Sequence, residues 1–179
     1  MEPRNRIAIV LLSLSAAGLV GIAQREGYTD GAIIPTKGDV PTIGFGTTEG
    51  VKMGDRTTPV AALVRALQDS PKYEGALKRC VRAPLHQAEY DAYAHHAYNI
   101  GSSAFCSSTL VRKLNAGDYR GACDQVLEWK MFRGQDCSQP NRICAGLWTD
   151  RLQTHAWCSA ALGAGECGSS TAACCCPWC

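Results

Sequence analysis

The apolar positions along the chain change period three times. Arg4 and Arg6 precede a run from Ile7 to Ala23 that holds no charged side chain. As a helix at about 1.5 Å per residue this run would measure roughly 26 Å, slightly short of a hydrocarbon core of about 30 Å. Ser13, Ser15, Ala16, Ala17, Gly18, Gly21 and Ala23 make it less apolar towards its C-terminal side. Basic residues followed by such a run predict an export signal and a marginal membrane span. The alternative is a cleaved signal peptide, with Gly21-Ile22-Ala23 as the small-x-small site. A cut there would leave Glu26 on a frayed terminus, a poor seat for a catalytic group.

From Tyr28 to Thr48 the density of Gly, Pro and Thr between short apolar runs predicts a small twisted sheet or hairpin. From Thr58 the period becomes helical, with Val60, Leu63, Val64 and Leu67 in register and a continuation over Leu77 to Val81 after a break at Ser70-Pro71. Gln87 to Ile100 predicts a helix stopped by Gly101, and Ser108 to Asn115 another followed by Gly117. Tyr119 to Lys130 and Leu147 to Ala161 complete a mostly helical C-terminal half, while the polar stretch Phe132 to Ile143 reads as a loop. No internal repeat is evident.

A chain of 179 residues suffices for one domain with a core of its own. A net charge of +2 and a pI near 8.0 provide no concentrated basic face, which disfavours nucleic acid as a partner. The 11 cysteines alter the picture more. Cys80, Cys106, Cys123, Cys137, Cys144 and Cys158 lie in globular sequence and point to an oxidising compartment such as a periplasm. Six cysteines allow fifteen pairings; the preferred set is Cys80 with Cys106, Cys123 with Cys158 and Cys137 with Cys144. Cys167, Cys174, Cys175, Cys176 and Cys179 crowd a tail of small residues. The expected organisation is therefore a signal-anchor segment over 1–24, a domain over 25–161 and a disordered cysteine-rich tail over 162–179.

The chemistry concentrates between Arg25 and Thr48. Glycoside hydrolysis needs one carboxyl kept protonated for the leaving group and a second, ionised group that activates water or stabilises positive charge. Glu26, next to the apolar run, suits the first role, because partial burial raises a carboxyl pKa. Asp39, in a polar turn, suits the second, and the Thr42 hydroxyl could hold a water against it. Asp30 is the rival to Asp39, but four residues from Glu26 it would share a helical face and stand too close to flank a sugar bond if helix persisted.

Glu26-Gly27-Tyr28, then Asp39, then Thr42-Ile43-Gly44-Phe45-Gly46-Thr47-Thr48 resembles the Glu, Asp, Thr active-site signature of the phage-type lysozymes, the endolysins. Ala97-Tyr98-Asn99-Ile100-Gly101, the stretch from Ser108 to Cys123, and Ala145-Gly146-Leu147 with Arg151 are similar to the helical lobe of that family. With the N-terminal run included, the likeness is closest to the signal-anchor-release endolysins of lambdoid phages and covers about residues 5–160. It implies an α+β, lysozyme-like fold with a small β lobe, a larger helical lobe and an N-terminal signal-anchor segment. It implies cleavage of the β-1,4 bond between N-acetylmuramic acid and N-acetylglucosamine by Glu26, Asp39 and Thr42. Neither metal nor organic cofactor is expected, and the partners are peptidoglycan and, before release, the host inner membrane. The protein would act as a monomer, inactive on that membrane and then free in the periplasm.

Three positions depart from the family pattern. Asp39 lies three residues before Thr42, where the family spacing is about six; Thr47 stands where the family often has His; and Asp150-Arg151 stands where it commonly has two arginines. Arg151 is the remaining candidate for an arginine partner of Glu26. His95-His96 with His86 suggests a zinc amidase instead, but adjacent helical residues point about 100° apart, and one packed and one exposed histidine is the simpler expectation. A membrane-anchored, disulfide-stapled envelope protein is the non-enzymatic alternative. Trp129, Trp148 and Trp157, amid apolar neighbours, are expected in the core.

Overall fold

The computed structural model describes residues 6–36, 38–140 and 142–163. A 3-10 turn at Ile9–Leu11 leads through an extended link into helix α1, Ala16–Glu26. Strands β1, Thr29–Ile33, and β2, Thr42–Gly44, form an antiparallel hairpin in which Thr29 faces Gly44 and Ile33 faces Thr42. Helices α2, Pro59–Cys80, α3, Gln87–Ile100, α4, Ser102–Ser107, α5, Thr109–Asn115, α6, Tyr119–Asp124, and α7, Ala145–Gly163, build the larger lobe. A second hairpin, β3, Met131–Phe132, and β4, Gln135–Asp136, occupies the stretch expected to be irregular. This is the mixed architecture expected: a small β lobe against a helical lobe. Cys80–Cys106, Cys123–Cys158 and Cys137–Cys144 pair as preferred, with Cα separations of 5.5, 5.8 and 5.2 Å. Residues 164–179, which carry the five tail cysteines, lie outside the described residues, as do Arg4 and the rest of residues 1–5.

Helix α2 differs from its expected form in two ways. It continues through Ser70-Pro71 as one helix of 22 residues, capped by Thr58 with Pro59 behind it. Proline removes one backbone donor, and here the carbonyl left over belongs to the exposed residue Leu67, where water can serve it. Its face is also rotated. Val60, Val64 and Leu67 point to solvent, whereas Ala62, Ala66, Tyr73, Ala76 and Leu77 are buried. Small side chains let α2 approach its neighbours closely, so the packed stripe is the alanine one.

The N-terminal run takes an unexpected form. No helix among the described residues is long and apolar enough to cross a membrane. The run is broken at Leu12–Ser15 and wrapped onto the helical lobe, where Ile9, Leu12 and Ile22 join Tyr73, Leu77, Leu85, Tyr90 and Tyr93 in a single core. Three carboxylates of that lobe hold it. Glu89, fully buried, accepts from Arg6 Nε at 3.0 Å and Nη2 at 2.9 Å. Asp91, 5% exposed, accepts from the Ser15 amide at 3.0 Å and its hydroxyl at 2.6 Å. Glu74, 9% exposed, accepts from the Leu14 amide at 2.7 Å, the Tyr90 hydroxyl at 2.7 Å and the Ser70 hydroxyl at 2.9 Å. Buried anions are tolerated only when partnered in this way.

Ser15 serves two ends at once, since its hydroxyl also accepts from the Gly18 amide and caps α1. Ser15→Ala is expected to lower stability by about 1–3 kcal/mol through loss of the cap and of one partner of a buried carboxylate. Urea unfolding at neutral pH measures it, and a change within about 0.5 kcal/mol would show that the cap and the Asp91 contact carry little of the docking.

Candidate active site

Glu26 is the last residue of α1, and the chain turns at Gly27 into β1. The antiparallel return of β2 brings a tight turn back over it. Ile43 and Thr47 close that turn with reciprocal backbone bonds of 3.0 and 3.1 Å, leaving Gly44-Phe45-Gly46 at its apex. Phe45 packs on Tyr28 with ring centroids 5.4 Å apart, and its carbonyl accepts from the Tyr98 hydroxyl at 3.3 Å. Gly46 has φ 86°, and a Cβ there would lie 3.2 Å from Glu26 Oε2 and 2.5 Å from the Tyr98 hydroxyl. The turn thus requires glycine on two counts: the backbone angle and the space kept for Glu26.

Glu26 is an exposed residue whose carboxyl is crowded by the Gly46 turn beside the Tyr98 hydroxyl. That crowding removes water from the charged form and the negative charge of Asp150 opposes it further, so its pKa is pushed up to about 7. Tyr98, packed edge-on against Tyr73 at 5.2 Å, is itself held protonated by burial and by Glu26. A carboxyl that keeps its proton up to near neutral pH can give it to a leaving oxygen.

Asp39 lies in the exposed loop joining β1 to β2, its amide donating to Thr36 O at 2.9 Å. Thr42 starts β2, opposite Ile33, with its hydroxyl donating to Val40 O at 3.1 Å. Only Thr42 is on the strand that ends in the turn over Glu26, and Asp39 precedes it in the connecting loop. Asp30 sits elsewhere, and for a different reason than helical spacing. The helix ends before it, and on β1 its carboxylate pairs with Arg56 at 2.6 Å on the surface.

Arg151 is not the partner of Glu26. It is buried, donating to Trp129 O at 3.0 Å, Asn99 Oδ1 at 2.6 Å and Asp150 Oδ2 at 2.6 Å. The group acting on Glu26 from α7 is an anion, Asp150, and the sequence reading missed its role although it stood out as a departure from the two-arginine pattern. Thr47, the other departure, is buried and donates to Asp69 Oδ2 at 3.2 Å. His95 and His96 are both buried rather than one packed and one exposed. His95 Nε2 meets Asp150 Oδ1 at 2.6 Å, whereas His96 packs edge-on against Phe105 and Trp129, its pKa pushed down to about 3 by burial and by neighbouring Arg151 and His95. No group of three His, Cys, Asp or Glu side chains suited to a metal ion occurs among the described residues. Trp129, Trp148 and Trp157 are half-buried rather than in the core: Trp157 packs against Gly21 and Arg25, and Trp129 against His96.

A helix ending in a glutamate with a raised pKa, a β hairpin turning back over it and a helical lobe behind make up a lysozyme-like glycoside hydrolase. Residues 23–154 match the phage lysozyme family, and the chain belongs to it. The chain is 34% identical over 125 residues to the endolysin of Salmonella phage P22, covering 67% of this chain and 85% of that one. It is 28% identical over 169 residues to a SAR-endolysin of Escherichia phage 933W, covering 86% and 93%. The muramidase domain of SpmX from Asticaccaulis excentricus superposes with a TM-score of 0.72 at 27% identity over 81% of this chain and 96% of that domain.

Gly46→Ala places a methyl group between Glu26 and Tyr98 at a backbone angle alanine resists. Activity on peptidoglycan is expected to fall at least about tenfold in a folded variant, as displacement by about 1 Å costs up to a hundredfold. Turnover assays beside a thermal melt check it, and wild-type turnover would show that the turn does not set the position of Glu26.

Proposed function

We propose that the chain is an endolysin of the muramidase class, cleaving the β-1,4 bond between N-acetylmuramic acid and N-acetylglucosamine and so lysing the host cell. The observation that carries this reading is Glu26, a carboxyl at the end of α1 whose surroundings hold its pKa at about 7. Glu26 protonates the departing sugar oxygen. Asp39 is the ionised partner on the opposite side of the bond, and the Thr42 hydroxyl orients the water. Peptidoglycan is the substrate and the protein works as a monomer. The family membership, and relatives named as endolysins, support this.

Purified protein is expected to release new reducing ends from peptidoglycan, and Glu26→Gln to abolish this while folding normally, because the amide keeps the shape and loses the proton. Asp39→Asn is expected to be severely impaired and Asp30→Asn much less so. Normal turnover by folded Glu26→Gln sinks the assignment, and the reverse ranking of the aspartates moves the second role to Asp30.

The same reading gives residues 1–24 two states: a marginal anchor in the inner membrane, where the enzyme is exported but silent, and the docked form, which belongs to free enzyme in the periplasm. Residues 25–161 form the catalytic domain, which the end of α7 extends beyond the expected boundary to Gly163 with Leu162 in the core. The SAR-endolysin names of relatives support the first state, and the docked core contacts of Ile9, Leu12 and Ile22 support the second. Ala16 and Ala17 are exposed when docked, so leucine at both strengthens the anchor without disturbing the docked core. Cell fractionation before and after an uncoupler is expected to show full-length wild type moving from membrane to periplasm and Ala16→Leu/Ala17→Leu staying behind. A soluble form starting near Gln24 from the outset would establish cleavage instead.

A further inference from the structure

The turn over Glu26 is held at its base and at its apex by different groups. At the base, Thr47 is tied to Asp69 on α2, and Gly44 packs so closely on that helix that an added Cβ would lie 2.7 Å from the Ala62 Cβ. The reciprocal bonds between Ile43 and Thr47 close this part and leave the Phe45–Gly46 peptide out. That peptide leads into a glycine with φ 86°. Glycine takes either sign of φ at little cost, so backbone sterics alone would let the peptide rotate between two orientations while the base stays in place.

The apex is gripped from both lobes. From the β lobe, the Tyr28 ring packs on the Phe45 ring, and the Tyr28 hydroxyl is itself tied to Thr57 O at 3.2 Å. This hold acts on the Phe45 side chain and leaves the peptide free to turn. From α3, the Tyr98 hydroxyl donates to Phe45 O at 3.3 Å, so it holds the carbonyl of that same peptide. Tyr98 is a well-fixed donor. Its ring meets Tyr73 edge-on at 5.2 Å, Tyr73 is buried on α2, and burial keeps the Tyr98 phenol protonated at neutral pH. A Cβ at Gly46 would lie 2.5 Å from the Tyr98 hydroxyl and 3.2 Å from Glu26 Oε2, so the phenol and the carboxyl both close on the one α carbon.

We propose that Tyr98 is a positioning residue for the leaving-group step: its hydroxyl selects one orientation of the Phe45–Gly46 peptide and so fixes the wall against which the Glu26 carboxyl sits. This rests on Glu26 as the acid. A phenylalanine at this position would keep the ring contact with Tyr73, so what the tyrosine adds is the hydroxyl alone. Without it the peptide samples both orientations, the Gly46 wall shifts, and the carboxyl loses its fixed distance to the sugar oxygen it serves. The effect falls on turnover rather than on affinity, because the hydroxyl proton is committed to Phe45 O.

The test measures kcat and KM separately on soluble glycan fragments of peptidoglycan for full-length wild type, Tyr98→Phe, Gly46→Ala, the double variant and Glu26→Gln, beside thermal melts. Tyr98→Phe is expected to melt as wild type does, to lose about tenfold in kcat and to keep KM within about twofold. In the Gly46→Ala background, where the wall is already displaced, the same substitution is expected to cost less than about twofold, since two changes acting through one turn do not add. Full kcat in folded Tyr98→Phe overturns the proposal. So does a loss confined to KM, which makes the hydroxyl a contact of the sugar, and so does an equal loss in both backgrounds, which means that it acts apart from the turn. A Tyr98→Phe chain that does not fold overturns it as well, because the hydroxyl then serves the fold rather than the acid. If Gly46→Ala does not fold, the kcat and KM of Tyr98→Phe decide by themselves. An inactive Glu26→Gln leaves the acid assignment standing in each of these cases, whereas activity in folded Glu26→Gln overturns that assignment and the proposal with it.

Discussion

Glu74, Glu89 and Asp91 are buried in the helical lobe, and all three receive partners from the first stretch of the chain. A buried anion is costly unless it is well partnered, so residues 6–15 supply part of the hydrogen bonding these groups need, beside Ser70, Tyr90, His86 and Gln87 of the lobe itself. The link held by Glu74 and Asp91 sets where α1 begins, through the Ser15 cap. Eleven residues later the same helix delivers Glu26. The Glu26 carboxyl is thus positioned from the opposite end of its helix.

The surroundings of Glu26 all favour its neutral form. Crowding excludes water, Asp150 supplies a like charge, and the end of α1 presents unsatisfied carbonyls, the negative pole of a helix. Arg25 and Arg151 both pair with Asp150 rather than with Glu26.

Much of this was legible in the sequence where a local signal has a local cause. Gly101 stopped α3, α2 began at Thr58, and the density of Gly, Pro and Thr from Tyr28 to Thr48 announced the small sheet. The active-site stretch was legible as Glu26 followed by a hairpin. What failed depended on tertiary partners. The solvent-facing stripe of α2 is the more apolar one, since the approach of α3 and α4 selected alanines for the inner face. Pro71 did not break its helix, because the orphaned carbonyl falls on the wet side. Arg151 could be matched by position to the acid, but its commitments to Asn99 and Trp129 come from residues far along the chain. Asp150 was visible as an anomaly, and its partners His95 and Arg25 lie far from it along the chain.

The N-terminal run shows why a single pattern can be read in two ways. Gly18 and Gly21 lower its affinity for lipid relative to leucine, which made it a marginal span. In the docked form the same two positions are the contact points of α1: a Cβ at Gly18 would meet Asp91 Cγ at 2.7 Å, and one at Gly21 would overlap the Trp157 ring. Any side chain that held the segment more firmly in a bilayer at these positions would also keep it off the helical lobe. The two glycines that make the run a weak span are therefore the ones that its packing on the helical lobe requires.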